Sequence, residues 1–120
     1  MPQTSPSNTI DFIEFPAASV QALGRAKAFF SQVFGWSYKN WGDDYCDTPA
    51  GGLASGINAD PESRSAQPLV VIHVDDLEAT MDKVKASGGT ITRQPFSFPG
   101  GRRFHFKEPG GNELAAWSNR

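Results

Sequence analysis

Cysteine is nearly absent from this 120-residue chain, which contains only Cys46. A single thiol excludes an internal disulfide and is compatible with a reducing cytoplasm. The first residues, Met1–Asn8, also lack the basic start and apolar centre of a secretory signal peptide. We therefore expect a cytoplasmic protein in which Cys46 is a small packing residue of a strand.

Long apolar runs and an excess of one charge sign are missing as well. The apolar runs extend over a few residues, whereas a membrane-spanning helix needs about 20. The 11 Lys and Arg residues are interspersed with 13 Asp and Glu residues, for a formal net charge of -2. No basic patch or basic amphipathic helix results, so neither nucleic acid nor a membrane is an expected partner. An aromatic fraction of 12% indicates a globular domain with a modest core.

The chain contains a weak internal repeat of a strand, a helix and three short strands. In the first half, the strand is Asp11–Phe15, the helix spans about Ser19–Phe34, and the short strands are Trp36–Asn40, Tyr45–Thr48 and Gly52–Ile57. In the second half, the corresponding segments are Leu69–Val74, Leu77–Ser87, Thr90–Phe96, Arg102–Lys107 and Asn112–Ser118. This order predicts an α+β fold, with one domain at 9–118 made of two βαβββ modules at about 9–58 and 68–118.

Local signals define the two helices more closely. Apolar residues recur at helical spacing in the first helix: Leu23, Ala26, Phe30, Val33 and Phe34. We expect these residues and the neighbouring Phe29 to pack between helix and sheet. In the second helix, Asp75 and Glu78 predict a capping box at the start. The pair Gly88-Gly89 predicts its end.

The last third of the chain predicts a hairpin with two different faces. Pro109 favours a type I turn and Gly111 favours the left-handed position that closes a three-residue loop, so Glu108 would face Asn112. One face would then carry Phe104, Phe106, Leu114 and Ala116, and the other would carry Arg103, His105, Lys107, Glu113, Ala115 and Trp117. A sheet with one solvated face also shows such alternation. The large ring of Trp117 on the polar side favours a binding site there.

The order of these segments resembles the vicinal oxygen chelate superfamily, whose members include glyoxalase I, bleomycin-resistance proteins and extradiol dioxygenases. The similarity rests on three segments: Arg25-Ala-Lys-Ala-Phe-Phe-Ser-Gln-Val-Phe-Gly-Trp36, His73-Val-Asp-Asp-Leu77 and Glu108-Pro-Gly-Gly-Asn-Glu-Leu114. The resemblance implies curved mixed sheets around a cleft, with the helices on the outer face. It also implies that two chains pair as a homodimer.

The same resemblance implies where a metal ion would bind. Metal-dependent members use His, Gln or Glu from the first and last strand of each module, and the metal stabilises an enolate-like charge on the substrate. Those four positions correspond here to Phe12, Ala54, Leu69 and Ala115. None of these side chains has a donor atom for a cation. We therefore expect a metal-free apolar pocket floor and no cofactor.

Other side chains are expected on the same faces by period-two alternation. The predicted ligand-binding set is Phe12, Glu14, Leu69, His73, Arg103, His105, Glu113 and Trp117. Its histidines and carboxylates allow an off-position metal site or an acid–base pair. The structural alternative is that Glu14 and Glu113 pair with Arg103 or Lys107 and that the histidines only satisfy hydrogen bonds.

Three functions therefore compete. The first is a metal-free member of the superfamily that binds a small organic molecule, as bleomycin-resistance proteins do. The second is a metal-dependent lyase of the lactoylglutathione lyase (glyoxalase I) type that uses an off-position metal site. The third is a structural or partner module whose cleft is filled by its own side chains. The sequence does not identify the ligand, because apolar walls with a few polar groups fit many molecules.

Overall fold

The computed structural model describes residues 6–120 and confirms the predicted α+β fold. The elements are β1 (Thr9–Pro16), α1 (Val20–Phe34), β2 (Lys39–Asn40), β3 (Tyr45–Asp47), a 3₁₀ turn (Pro49–Gly51), β4 (Ser55–Asn58), β5 (Leu69–His73), α2 (Leu77–Ala86), β6 (Thr90–Phe98), β7 (Gly101–Lys107) and β8 (Glu113–Ser118). The chain divides into two compact units. The first unit is Phe12–Leu69, and the second is Val70–Arg120 together with residues 6–11. Neither helix within residues 6–120 is long and apolar enough to cross a membrane.

In the first unit, helix α1 covers one face of strands ordered β2-β3-β4-β1. Strand β1 runs parallel to β4, and β3 pairs antiparallel with β4. Ser19 caps α1, because its side chain accepts a hydrogen bond from the backbone of Ala22. The core between helix and sheet contains Ala17, Leu23, Cys46, Ile57 and Ala59, with Phe15, Ala22, Ala26, Phe30 and Tyr38 packed against it. Burial raises the pKa of the Cys46 thiol, and the prediction of a packing cysteine is confirmed.

The end of α1 differs from the prediction. Phe29, Val33 and Phe34 were expected in the core, but their side chains are 55%, 55% and 61% exposed. The prediction was wrong because Phe29 lies off the helical stripe of Leu23 and Phe30, and because Phe34 contacts Phe30 and Trp36 instead of the core. Trp36 stacks on Phe30 with 4.7 Å between ring centroids. The strand predicted at Trp36–Asn40 is correspondingly shorter and comprises only Lys39–Asn40.

The last strand of the first unit is also shorter than predicted. It begins at Ser55 instead of Gly52, so Ala54 lies just before β4 rather than within it. The 3₁₀ turn Pro49–Gly51 precedes this segment, and Gly52 has a positive φ of 93°. Such a backbone cannot continue an extended ladder.

In the second unit, helix α2 covers one face of strands ordered β5-β8-β7-β6. Strand β5 is parallel to β8, and the other pairs are antiparallel. The buried core is Val74, Leu77, Phe104 and Ala116, against which Ile72, Met81, Val84, Ile91 and Phe106 pack. The helix start differs from the prediction, because Asp76 rather than Asp75 is the cap and accepts from the backbone of Ala79 at 3.0 Å.

Glu78 does not close the predicted capping box. Its carboxylate instead binds the guanidinium of Arg102, with 2.6 Å between Oε2 and Nη1. The hydrogen bond from Arg102 lowers the pKa of Glu78. Both groups are solvent-exposed, so the ion pair makes only a small contribution to stability.

The predicted hairpin is confirmed in register and in turn type. Glu108 N–H donates to the carbonyl of Asn112 at 3.0 Å, and Gly111 has a positive φ of 95°. Opposite pairs are Arg103 with Trp117, Phe104 with Ala116 and His105 with Ala115. The apolar members of this hairpin face α2, and the polar members lie on the other face.

Two phenylalanines test this division. Phe104→Ala removes a side chain that is fully buried against α2, and we expect it to lower the free energy of unfolding by about 3–5 kcal/mol. Phe29→Ala is the matched control, because the Phe29 ring is mostly exposed, and it should change stability by less than about 1 kcal/mol. Urea unfolding followed by circular dichroism measures both. Equal losses for the two variants would contradict the assigned faces.

Candidate functional site

The helix-free face of the second unit carries four of the predicted site residues, His73, Arg103, His105 and Trp117. We call these four residues the second polar face. Strand pairing sets His73 beside Trp117 and Trp117 beside Arg103. All four are buried, with 2% to 7% of their surface exposed. The structure therefore brings these residues together, as alternation predicted.

Trp117 is held by a partner that sequence reasoning missed. Its indole N–H donates to both carboxylate oxygens of Asp11 at 3.0 Å. The ring also lies 4.9 Å from the imidazole of His73 and 6.1 Å from Phe98, centroid to centroid. Asp11 is 106 residues from Trp117, and alternation along β1 grouped it with apolar Ile13. No local signal linked the two residues.

A second aromatic residue organises the cations on this face. The Phe96 ring lies 4.1 Å from the guanidinium of Arg93 and 5.2 Å from that of Arg103. The imidazole of His105 meets the same ring edge-on at 5.7 Å. Such cation–π contacts each contribute about 0.5–2 kcal/mol. Phe96 therefore orients both arginines, a role that its position at the end of a predicted strand did not indicate.

His73 makes its side-chain hydrogen bond to the N-terminal segment. The imidazole Nδ1 lies 3.3 Å from the carbonyl oxygen of Pro6. The backbone carbonyl of His73 accepts from Asn8 N–H at 2.7 Å. These contacts anchor the segment before β1 at the end of β5.

Two other predicted residues lie apart from this group. Glu113 is at the hairpin end of β8, about 13 Å along the strand from Trp117 at 3.3 Å per residue. Its carboxylate accepts from the hydroxyl of Thr92 at 2.7 Å. The Thr92 hydroxyl therefore holds Glu113 near the turn. The other residue, Leu69, begins β5 and is buried.

The helix-free face of the first unit carries Phe12 and Glu14 together with two residues that were not predicted, Tyr45 and Asn58. Glu14 is 2% exposed. Its carboxylate accepts from the hydroxyl of Tyr45 at 2.9 Å and from the amide of Asn58 at 3.0 Å. A carboxyl group is costly to bury without hydrogen bonds, and these two donors supply part of what the position needs.

This arrangement needs a glycine beside it. A Cβ at Gly56 would come within 2.9 Å of the Tyr45 hydroxyl and 3.1 Å of the Phe12 ring. The strand therefore leaves room for both side chains only without a substituent there. Asn58 extends the network, because its amide also donates to Ser63 at 3.1 Å.

The four positions at which metal-dependent members hold a cation contain only hydrocarbon side chains. Phe12, Leu69 and Ala115 lie in strands and are buried, and Ala54 precedes β4. Among residues 6–120, no group of three or more His, Cys, Asp or Glu side chains is arranged to hold a metal ion. The side chains at the four positions that the resemblance assigns to a cation therefore offer no donor atom for a metal.

The element order defines a protein of two βαβββ modules, each with polar side chains on its helix-free sheet face. Residues 10–116 match the model of the Glyoxalase/Bleomycin resistance protein/Dioxygenase superfamily, and the chain belongs to that superfamily. The resemblance seen in the sequence is thereby confirmed.

Known relatives agree with this assignment. A probable lactoylglutathione lyase of Vibrio cholerae is 32% identical over 115 residues, an alignment that covers 82% of this chain and 83% of the relative. A superfamily member from Vibrio splendidus has a TM-score of 0.65 at 16% identity, covering 89% of this chain and 96% of that one. A Legionella pneumophila structure described as an NAD-dependent benzaldehyde dehydrogenase has a TM-score of 0.70 at 12% identity, with the same coverage. At such low identity, both structures show the fold alone.

The two tyrosines allow a test of the Glu14 network. Tyr45→Phe removes a donor to a buried carboxylate, so we expect a loss of about 1.5–3 kcal/mol in unfolding free energy. Tyr38→Phe removes a donor to a neutral acceptor, the carbonyl of Lys27 at 2.7 Å, and should cost about 0.5–1.5 kcal/mol. Chemical denaturation measures the difference. A larger loss for Tyr38→Phe would contradict a charged acceptor at Tyr45.

Proposed function

We propose that this chain is a glyoxalase/bleomycin-resistance-like protein that binds a small organic molecule without a metal ion. The observation that carries the proposal is the hydrocarbon side chain at each of the four metal positions, Phe12, Ala54, Leu69 and Ala115. A desolvated divalent cation is strongly disfavoured beside such groups. Aromatic and polar side chains nearby, among them Trp117 and His73, suit an organic molecule with a few polar groups.

Each unit carries proposed ligand-contacting residues of its own. In the second unit they are His73, Arg103, His105 and Trp117, with Glu113 at the hairpin end of β8. In the first unit they are Phe12 and Glu14, with Leu69 as its last residue. The imidazoles, guanidinium and carboxylates supply hydrogen bonds and charge that fix a ligand's orientation. The rings of Phe12 and Trp117 supply apolar contact area.

Metal-dependent lyase chemistry of the lactoylglutathione lyase type is the second candidate. The observation that favours it is the 32% identity to a protein described as a probable lactoylglutathione lyase. That chemistry needs a Lewis acid to hold two substrate oxygens and a base to move the proton. Glu14 and the two histidines are capable bases. The four positions that would hold the cation carry no side-chain donor atom.

A partner module without a ligand is the third candidate. The observation that favours it is the burial of Trp117, Arg103 and His105, each at most 4% exposed. Side chains packed so closely leave little free volume on the second polar face. A ligand at this face must therefore be small or must reach it through His73, which is the most exposed of the four residues at 7%.

Native mass spectrometry of the purified protein separates these candidates. We expect two chains of 13.0 kDa each, as a homodimer, with a retained small molecule and no stoichiometric metal. Trp117→Phe keeps an apolar ring but loses the indole N–H that Asp11 holds, so the ring is no longer fixed in place and less of the small molecule should be retained. Trp41→Phe is the matched control, because Trp41 is exposed. A 13 kDa species at micromolar concentration would rule out the dimer, and a ligand-free protein would support the partner module.

An activity assay addresses the lyase directly. We expect no measurable conversion of the methylglyoxal–glutathione adduct, with or without added Zn²⁺, Ni²⁺, Mn²⁺ or Fe²⁺, because the four metal positions carry no donor atoms. Turnover that a chelator abolishes, together with about one metal equivalent per chain after dialysis, would overturn the metal-free proposal. The ligands would then be sought among Glu14, His73, His105 and Glu113 by substituting each with alanine.

A further inference from the structure

A short N-terminal segment, Pro6–Thr9, is tied to the end of β5 by a set of hydrogen bonds; we call it the strap. Asn8 N–H donates to the carbonyl of His73 at 2.7 Å, and Asp75 N–H donates to the hydroxyl of Ser7 at 3.0 Å. The hydroxyl of Thr9 donates to the carbonyl of Pro6 at 2.7 Å. Asn8 has a positive φ of 67°, which Asn adopts more readily than most residues. The strap is therefore a specific turn with defined contacts.

The same strap determines which nitrogen of His73 carries the proton. Nδ1 lies 3.3 Å from the carbonyl oxygen of Pro6. A carbonyl oxygen only accepts hydrogen bonds, so Nδ1 must be the donor. In a neutral imidazole the other nitrogen, Nε2, then has the lone pair and is an acceptor.

The other ring nitrogen, Nε2, makes no hydrogen bond to any group within residues 6–120. The residue is 93% buried, since 7% of its surface remains exposed. Nε2 is not among the buried side-chain atoms that lack a partner, so it lies where water or a ligand can reach it. Trp117 lies beside the imidazole at 4.9 Å and is 2% exposed, so a planar group at Nε2 would meet the small accessible part of its ring.

We propose that the strap is a positioning element of the binding site and that His73 Nε2 accepts a hydrogen bond from an O–H or N–H of the ligand. The ligand is then a small planar molecule with at least one such donor, packed against Trp117. This inference rests on the proposed function and adds the chemical class of the ligand. It also assigns a binding role to residues outside the sheet.

The tautomer can be read directly from ¹⁵N NMR of the unliganded, full-length protein. The chain has two histidines, so His73→Gln assigns the signals by removing one set. At a pH where the imidazole is neutral, we expect a protonated Nδ1 and an unprotonated Nε2 for His73. A protonated Nε2 in the parent protein, or equal amounts of both tautomers, would overturn the proposal.

Two variants test whether the strap sets this tautomer. Ser7→Ala combined with Thr9→Val removes two strap hydrogen bonds and should increase the fraction of the Nε2-protonated form. Ser65→Ala combined with Thr80→Val makes the same two substitutions elsewhere and removes two hydroxyl hydrogen bonds to backbone carbonyls, from Ser65 to Gln67 and from Thr80 to Asp76. This control should leave His73 unchanged. A strap variant that matches the control would overturn the positioning role.

Phenol and anisole test the ligand class, because they share a ring but only phenol has an O–H donor. We expect millimolar phenol to shift the His73 Nε2 resonance and the Trp117 indole signal, and anisole to shift only the indole. If neither probe reaches Trp117, the result counts against small-molecule binding on this face. If both perturb Trp117 and neither shifts Nε2, binding stands and the acceptor role of His73 is wrong.

Discussion

The packing of one sheet face against one helix is the constraint on which the rest of each unit depends. In the second unit, Phe104 is fully buried against α2. Because successive side chains of a strand point to opposite faces, this burial forces Arg103 and His105 to the helix-free side. The pairing of β7 with β8 then sets Trp117 beside Arg103. A polar face thus follows from an apolar contact on the other side of the sheet.

Polar groups placed in this way need partners, and the partners determine what the faces can do. The carboxylate of Glu14 is held by Tyr45 and Asn58, and the indole of Trp117 by Asp11. These hydrogen bonds offset the cost of removing the groups from water. They also keep the side chains in one arrangement, which a binding site requires. His73 differs, since its Nδ1 is held by the strap while Nε2 is the atom that we propose for a ligand.

Membership in a superfamily that contains metal-dependent enzymes does not by itself imply metal chemistry here. The fold provides the positions, and the residues at those positions provide the chemistry. Phe12, Ala54, Leu69 and Ala115 supply apolar surface where donor atoms would be needed. The superfamily fold is thus retained with hydrocarbon side chains at these four positions.

Much of this protein followed from local pattern. Helical spacing placed α1 and α2, and the turn residues Pro109 and Gly111 set the hairpin register and hence the faces of Arg103 and Trp117. Errors arose where helical spacing alone was used. Phe34 continues the apolar spacing of α1, but its side chain is 61% exposed. The sequence by itself determined the order of strands and helices and the polar side of the terminal hairpin, because these depend on period and turn chemistry. Only the tertiary structure decided that Asp11 holds Trp117, that Phe96 gathers two arginines and that Pro6 meets His73, because such contacts join residues that are distant in sequence or depend on details of strand register.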